Sequence, residues 1–222
     1  MKVVHLTVFC LLLAVTGFAQ SRKEQKRDYV VKIYTDFGII HAVLFDDTPM
    51  HKKNFLKLAN SKFYDSLQFH RVLKDFVIQG GDPHTAPSAT GKPGMGGPGY
   101  LLDAEISPRY THKKGMIAAA RKNDMINPDK KSSGSQFYIV QNEEGAHHLD
   151  GEYTVFGRVI KGLEVLDQIA GQPVQPGGMP FEPVRMSMQI VKLKKKQIEK
   201  IYGYSYEEDG QQSSRKKFLG IF

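Results

Sequence analysis

A chain of 222 residues, 41% hydrophobic and 24% charged, holds enough apolar material for one full-sized core and too little for two. Its single cysteine, Cys10, excludes an internal disulfide framework and a cysteine-rich metal site. The formal charge of +8 admits an anionic partner, but the excess collects at one end: from Lys192 onward eight basic residues accompany four acidic ones, the pattern of a solvated tail.

The first segment reads as a secretory leader. Lys2 supplies the positive start, Leu6 to Val15 is apolar apart from Thr7, and small Gly17 and Ala19 precede a cut after Ala19. The apolar run is too short for a stable bilayer span, which takes about 20 residues. Phe9, where a small residue would be needed, argues against lipoprotein processing at Cys10. Cleavage therefore predicts an exported, periplasmic or secreted chain with no cysteine and no integral membrane segment. Export also makes nucleic acid an unsuitable partner.

Residues 20–28 form a charged linker. Tyr29–Tyr34 and Ile39–Phe45 are strand-like around a turn at Asp36-Phe37-Gly38. Thr48 reads as an N-cap and Pro49 as the first helical residue, with Phe55, Leu58 and Ala59 on one buried face through about Asn60. Strands follow at Leu67–Leu73 and Phe76–Gln79. Alternation in the latter places Val77 and Gln79 on one face and Phe76 and Ile78 on the other. The glycine- and proline-rich stretch 80–99 is a long surface loop. Its Gly91-Lys92 is followed by Pro93, so it lacks the phosphate-loop ending. Further strands are expected at Gly115–Ala120, Gln136–Val140 and Thr154–Ile160, and a short helix at Leu163–Ala170. A half-buried closing strand, Arg185–Leu193, alternates Met186, Met188 and Ile190 with Arg185, Ser187 and Gln189. From residue 194 the pattern ends, so 194–222 is expected as a basic tail: a partial helix, then disorder. Strands outnumber helices, which predicts a mainly β domain over 29–193, a closed antiparallel barrel with helices at its ends. Adjacent His147-His148 would point opposite ways on an extended segment, and without spaced partners no metal site is expected. Asp103 and Glu105 read as solvated carboxylates.

Three blocks carry the chemistry. The first is Phe69-His70-Arg71-Val72-Leu73-Lys74-Asp75-Phe76-Val77-Ile78-Gln79-Gly80-Gly81-Asp82. The second is Gly134-Ser135-Gln136-Phe137-Tyr138-Ile139. The third is Leu149-Asp150-Gly151-Glu152-Tyr153-Thr154-Val155-Phe156-Gly157. In this order they resemble the cyclophilin family of peptidyl-prolyl cis-trans isomerases, over roughly Val30 to Leu193. The resemblance implies a closed eight-stranded antiparallel barrel with two capping helices. It also implies catalysis of Xaa-Pro rotation in polypeptides, without cofactor or metal and as a monomer.

The reaction breaks no covalent bond. Its barrier, about 18–20 kcal/mol, comes from amide resonance. A planar, always-charged donor aimed at the prolyl nitrogen would lower it. The family's catalytic arginine falls on Arg71, and His70 supports the strand without acting as a base. The slot for the proline ring falls on Phe76, Val77, Tyr138 and Leu149. Gln79 and Gln136 match positions that hydrogen-bond the substrate backbone, and as glutamines on buried strands they need partners in any case. There are departures. The family's alanine-asparagine-alanine segment reads Ala120-Arg121-Lys122, with Arg121 in place of an amide that contacts the peptide. The loop 121–133 is enlarged and carries Lys122, Lys130 and Lys131. A frequent tryptophan falls on His148 and a frequent histidine on Tyr153, which puts sensitivity to the family's cyclic-peptide inhibitor in doubt. Arg121 and the basic loop motivate a rival reading, a non-catalytic proline-peptide binding module or holdase on the same barrel. Retained Arg71, Gln79 and Tyr138 argue for the enzyme. A further reading makes the basic tail an anchor to an anionic surface.

Overall fold

The computed structural model describes residues 26–207. The expected leader 1–19 with Cys10, most of the linker and the end of the tail lie outside the described residues.

Among the described residues, ten strands and three α-helices follow one another. They are β1 (Arg27–Thr35), β2 (Gly38–Leu44), α1 (Pro49–Asn60), β3 (Arg71–Leu73), β4 (Val77–Gly80), β5 (Leu101–Leu102), β6 (Met116–Ala119), β7 (Ser132–Ser133), β8 (Phe137–Val140), β9 (Val155–Lys161), α2 (Leu163–Ala170), β10 (Ser187–Lys194) and α3 (Lys195–Tyr202). Eight of the strands form one antiparallel sheet in the order β10-β1-β2-β9-β6-β8-β4-β3, and β5 pairs with β7.

The expected closed barrel is corrected in one respect: the sheet is not closed by a ladder. Its edge strands β10 and β3 are joined only near the seam, by the isolated bridge Gln68–Arg185 and single bonds such as Met186 N–H to the Leu67 carbonyl at 2.7 Å. Pro180 and Pro183 lie just before this stretch, and proline has no N–H to continue a ladder. Instead the carbonyl of Gly178 takes the Val72 N–H at 2.6 Å. Gly178 needs its missing side chain here. Its φ is +90°, and a Cβ would meet the Val72 carbonyl at 3.0 Å.

Alternation along the strands builds the layers. Val31 and Ile33 of β1, Ile40, Ala42 and Leu44 of β2, Ile78 of β4, Ile117 and Ala119 of β6, and Phe137 and Ile139 of β8 enter the main core beneath α1 and α2. Their neighbours Val77, Met116, Ala118, Tyr138, Val140 and Val155 form a second cluster on the other face. Helix α1 starts at Pro49 as expected, but Thr48 makes no side-chain cap bond. The carboxylate of Glu105 caps it instead, accepting the Met50 N–H at 3.0 Å, the His51 N–H at 2.9 Å and the His51 ring at 2.6 Å. Glu105 is therefore not a solvated carboxylate, while Asp103 stays exposed and pairs with Lys131 at 3.2 Å.

The packed body runs past Leu193, where the sequence pattern ends. Helix α3 adds a third helix to the two capping helices: it lies where a partial helix in a solvated tail was expected, but it belongs to the packed body. Its Ile198 is buried with Tyr204 and Tyr206 against Val30 and Val43.

Candidate active site

Strands β3 and β4 carry the first sequence block, β8 the second and the start of β9 the third, with β6 between β8 and β9 in the sheet. Arg71 and Gln79 are cross-strand partners on β3 and β4, and Gln79 in turn faces Tyr138 of β8. Arg71 Nη1–H donates to Gln79 Oε1 at 3.3 Å, and Gln79 Nε2–H donates to Gln136 Oε1 at 3.1 Å. Gln136 Nε2–H donates onward to the carbonyls of Gly96 at 2.8 Å and Gly94 at 3.2 Å, and to Asp82 Oδ2 at 3.3 Å. The two glutamines thus satisfy one another and the loop; a peptide is not needed for that.

Asp82 is the hub of this loop and was not singled out by sequence reasoning. It is fully buried, and its carboxylate accepts the backbone N–H groups of His84 (2.7 Å), Gly94 (2.5 Å) and Gly96 (3.1 Å). The signal was present: an aspartate directly before a proline, opening a glycine-rich stretch, is well placed to collect loop N–H groups. Through it the 80–99 loop is tied to the back of Gln136.

Next to this hydrogen-bonded row lies the second apolar cluster. Val77, Tyr138 and the partly buried Phe76, Ala120, Leu149 and Tyr153 pack within it. Phe76 shares this cluster with Val77, not with Ile78. It precedes β4, behind a turn in which Asp75 has φ of +58° and the Phe76 N–H returns to the Leu73 carbonyl at 3.1 Å, so strand alternation does not reach it. His148 stacks on Phe76, with ring centroids 5.3 Å apart and planes at 24°. Tyr153 meets Tyr138 edge to face at 5.9 Å. His147 and His148 lie in a 3-10 turn, His147–Leu149, rather than on an extended segment.

Arg121 is placed beside the cluster with its side chain committed to the protein. Its guanidinium lies 4.5 Å from the Tyr153 ring centre. It donates to the Glu152 carbonyl at 3.0 Å, to the Glu152 carboxylate at 3.3 Å and to Asp124. Lys130 joins Glu152 at 2.6 Å, so the enlarged loop is clasped to the Glu152-Tyr153 turn. The main chain of Ala120 pairs with Gln136 and Ser133. The residues expected at the site are linked by contacts: Arg71, Gln79 and Gln136 through hydrogen bonds, Phe76, Val77, Ala120, Tyr138, Leu149 and Tyr153 through the apolar cluster, with His148 stacked on Phe76 and Arg121 on Tyr153.

Three histidines near this framework are buried: His51 at 3%, His70 at 5% and His112 at 0% exposure. Burial pushes each imidazole below the ordinary histidine range, outweighing the carboxylates that pull the other way. The unfolded chain therefore takes up protons near pH ~6.5 that the folded chain refuses. Their contribution to stability is full above that pH and is lost as pH falls through the depressed folded values. The melting temperature is expected to decline from about pH 6.5 toward pH 5. Thermal melts with equal midpoints at pH 7.5 and pH 5 would contradict this.

The family profile described as cyclophilin type peptidyl-prolyl cis-trans isomerase/CLD matches residues 30–191. A peptidyl-prolyl cis-trans isomerase of Arabidopsis thaliana is 38% identical over 159 residues, covering 71% of this chain and 92% of the relative. Peptidyl-prolyl cis-trans isomerase B of Bacillus subtilis is 46% identical over 112 residues, covering 50% of this chain and 68% of the relative. Among solved structures, a Cryptosporidium parvum cyclophilin-type isomerase superposes with a TM-score of 0.65 at 31% identity, covering 76% of this chain and 99% of that one. A second structure of it, determined in the presence of the dipeptide Ala-Pro, gives 0.63 at 31% identity, covering 75% and 99%.

Proposed function

We propose, for a chain that belongs to the cyclophilin-type peptidyl-prolyl cis-trans isomerase family, that Arg71 drives the isomerisation and that the neighbouring aromatic cluster holds the proline ring. The observation that carries this reading is the chain Arg71–Gln79–Gln136, anchored on the 80–99 loop beside Phe76, Val77 and Tyr138. Held this way, the guanidinium is pre-aimed. It donates to the prolyl nitrogen as the amide twists and the nitrogen lone pair localises, and no reorganisation is needed at that moment. Phe76, Val77, Leu149 and Tyr138 offer the apolar slot that fixes the ring while the preceding peptide turns. The Cryptosporidium relative has also been solved in the presence of the dipeptide Ala-Pro, the kind of unit such a slot would take. Arg121 offers the peptide its main chain: its own N–H and C=O have no partner among the described residues. No nucleophile, general base, metal or cofactor enters the scheme. The test is the kinetics of Arg71→Ala: lost turnover with retained peptide binding supports the reading, and near-normal turnover overturns it.

The clients are proposed to be exported polypeptides in which Xaa-Pro isomerisation limits folding. Lys2, the apolar run to Val15 and the small Gly17 and Ala19 support export. Mass spectrometry of exported material is expected to show a chain beginning near Gln20. An intact Met1 would refute it.

A further inference from the structure

Behind the aromatic cluster lies a hydrogen-bonded chain that the isomerisation scheme does not use. The Tyr138 hydroxyl is 2.9 Å from His112 Nε2, and His112 Nδ1 is 2.8 Å from Asp150 Oδ1. The same Asp150 oxygen accepts the His112 backbone N–H at 2.7 Å. The His112 carbonyl accepts the Ala146 N–H at 2.7 Å. His112 is fully buried and Tyr138 is 5% exposed. His112 therefore makes four bonds. Three go to the 146–150 segment that carries His148 and Leu149, and the fourth goes to Tyr138 on β8. Gly145 is fitted to this junction: its φ is +85°, and a Cβ would meet the His112 carbonyl at 2.6 Å.

We propose that His112 is a positioning residue for the isomerisation: together with Asp150 it locks the Tyr138 ring, the floor of the proline slot, to the wall formed by His148 and Leu149. The inference rests on the reading of this cluster as the proline slot. The proton positions follow from the partners. Burial keeps the ring neutral, and a carboxylate only accepts, so Nδ1 carries the proton toward Asp150. Asp150 is itself held ionised: burial works upward, but the His112 N–H and the rings of His147 and His112 outweigh it. Nε2 is then a pure acceptor, and the Tyr138 hydroxyl donates to it. Burial, with Tyr153 nearby, holds that hydroxyl protonated. The tyrosine therefore has one preferred ring position, fixed from behind. A phenylalanine at 138 would have the same outline without the tether.

The experiment is a double-mutant cycle on the full chain, with kcat and KM measured for a Xaa-Pro peptide. A floor that grips the proline ring equally in ground and transition states acts on KM. Tyr138→Phe and His112→Gln are each expected to raise KM roughly 2- to 10-fold, the worth of one hydrogen bond, with kcat little changed. The double variant is expected to be no worse than Tyr138→Phe alone, because His112 works through the hydroxyl. Unchanged KM in both singles, or an undiminished effect of His112→Gln in the Tyr138→Phe background, would overturn the proposal. If His112→Gln does not fold, Asp150→Ala takes its place in the cycle, since it removes the oxygen that holds both the His112 backbone N–H and Nδ1–H and so frees the ring that tethers Tyr138. Nitrogen NMR of the wild-type protein at neutral pH is expected to show His112 protonated at Nδ1 only; a charged ring or an Nε2–H tautomer would overturn it equally. Phe76→Ala and Leu149→Ala separate the premise from the inference: if neither moves KM, the slot itself is misassigned.

Discussion

Arg71→Ala is expected to lower kcat on the order of 100-fold or more while leaving peptide affinity within a few-fold. That is the consequence of removing one preorganised donor, worth about 3–4 kcal/mol. The effect falls on kcat because the prolyl nitrogen is a poor acceptor while its lone pair is in resonance and a good one when the amide is twisted. The bond is therefore made chiefly in the transition state. Gln79 takes one of the guanidinium's donors at 3.3 Å and is itself fixed by Gln136, so the remaining fork is aimed without cost at the moment of reaction. Arg71→Lys is expected to recover little: a flexible ammonium cannot hold Gln79 and reach the substrate in one plane. A guanidinium keeps its charge across ordinary pH and the scheme has no base, so the rate is expected to be nearly flat from about pH 6 to 9. A folded Arg71→Ala protein with near-normal turnover would remove the mechanism. A steep bell-shaped profile would point instead to a titrating group such as His70.

The positions of the longer strands were legible because they rest on local pattern, whereas the grouping of the candidate site residues came from the resemblance of three sequence blocks to a family. Alternation assigns Val77 and Ile78 to opposite layers, and the spacing of Arg71 and Gln79 across a short turn suits a cross-strand pair. Phe76 was misread because alternation was carried through a turn that Asp75 breaks at positive φ. What stayed hidden is long-range polar pairing. Glu105 capping α1 from 54 residues away, and Tyr206 reaching Asp28 across 178, leave no periodic trace in the sequence. The same holds for His112, whose partners Tyr138 and Asp150 meet it only once β8 and the 146–150 segment are folded together. The missing barrel ladder is a subtler case. The closing strand was found, but two prolines just ahead of it decide that the seam is bridged and not zipped.

Helix α3 falls where a partial helix was expected, but its packing against the domain was hidden, because only Ile198 of its eight residues is buried and its other anchors, Tyr204 and Tyr206, lie beyond Gly203. Those anchors make the second large effect. Truncation after Lys194 removes all three side chains from Val30 and Val43, both fully buried in the intact chain. It also breaks a charged network. The Tyr206 hydroxyl donates to Asp28 at 3.2 Å, and Lys195 pairs with Asp46 at 3.1 Å. Lys52 binds both carboxylates at 2.7 Å. Lys52 retains Asp28 and Asp46 after the cut, so the loss is mainly apolar. Uncovering an isoleucine site and two tyrosine sites costs on the order of 4–9 kcal/mol, at about 1.5–3 kcal/mol per large side chain. At ~2–4 °C per kcal/mol for a chain of this size, the melting temperature is expected to fall by more than about 10 °C. No cleft residue is removed, so kcat/KM measured well below the new midpoint is expected to stay near that of the full chain. A truncation after Glu207 keeps every described contact and is expected to melt with the intact protein. Equal melting temperatures for the intact chain and the Lys194 truncation would show that α3 and its tyrosines ride on the domain without supporting it. A stable truncation with poor turnover would instead connect this packing to the cleft, through the shared strand β2 that carries Val43 and leads into Phe45.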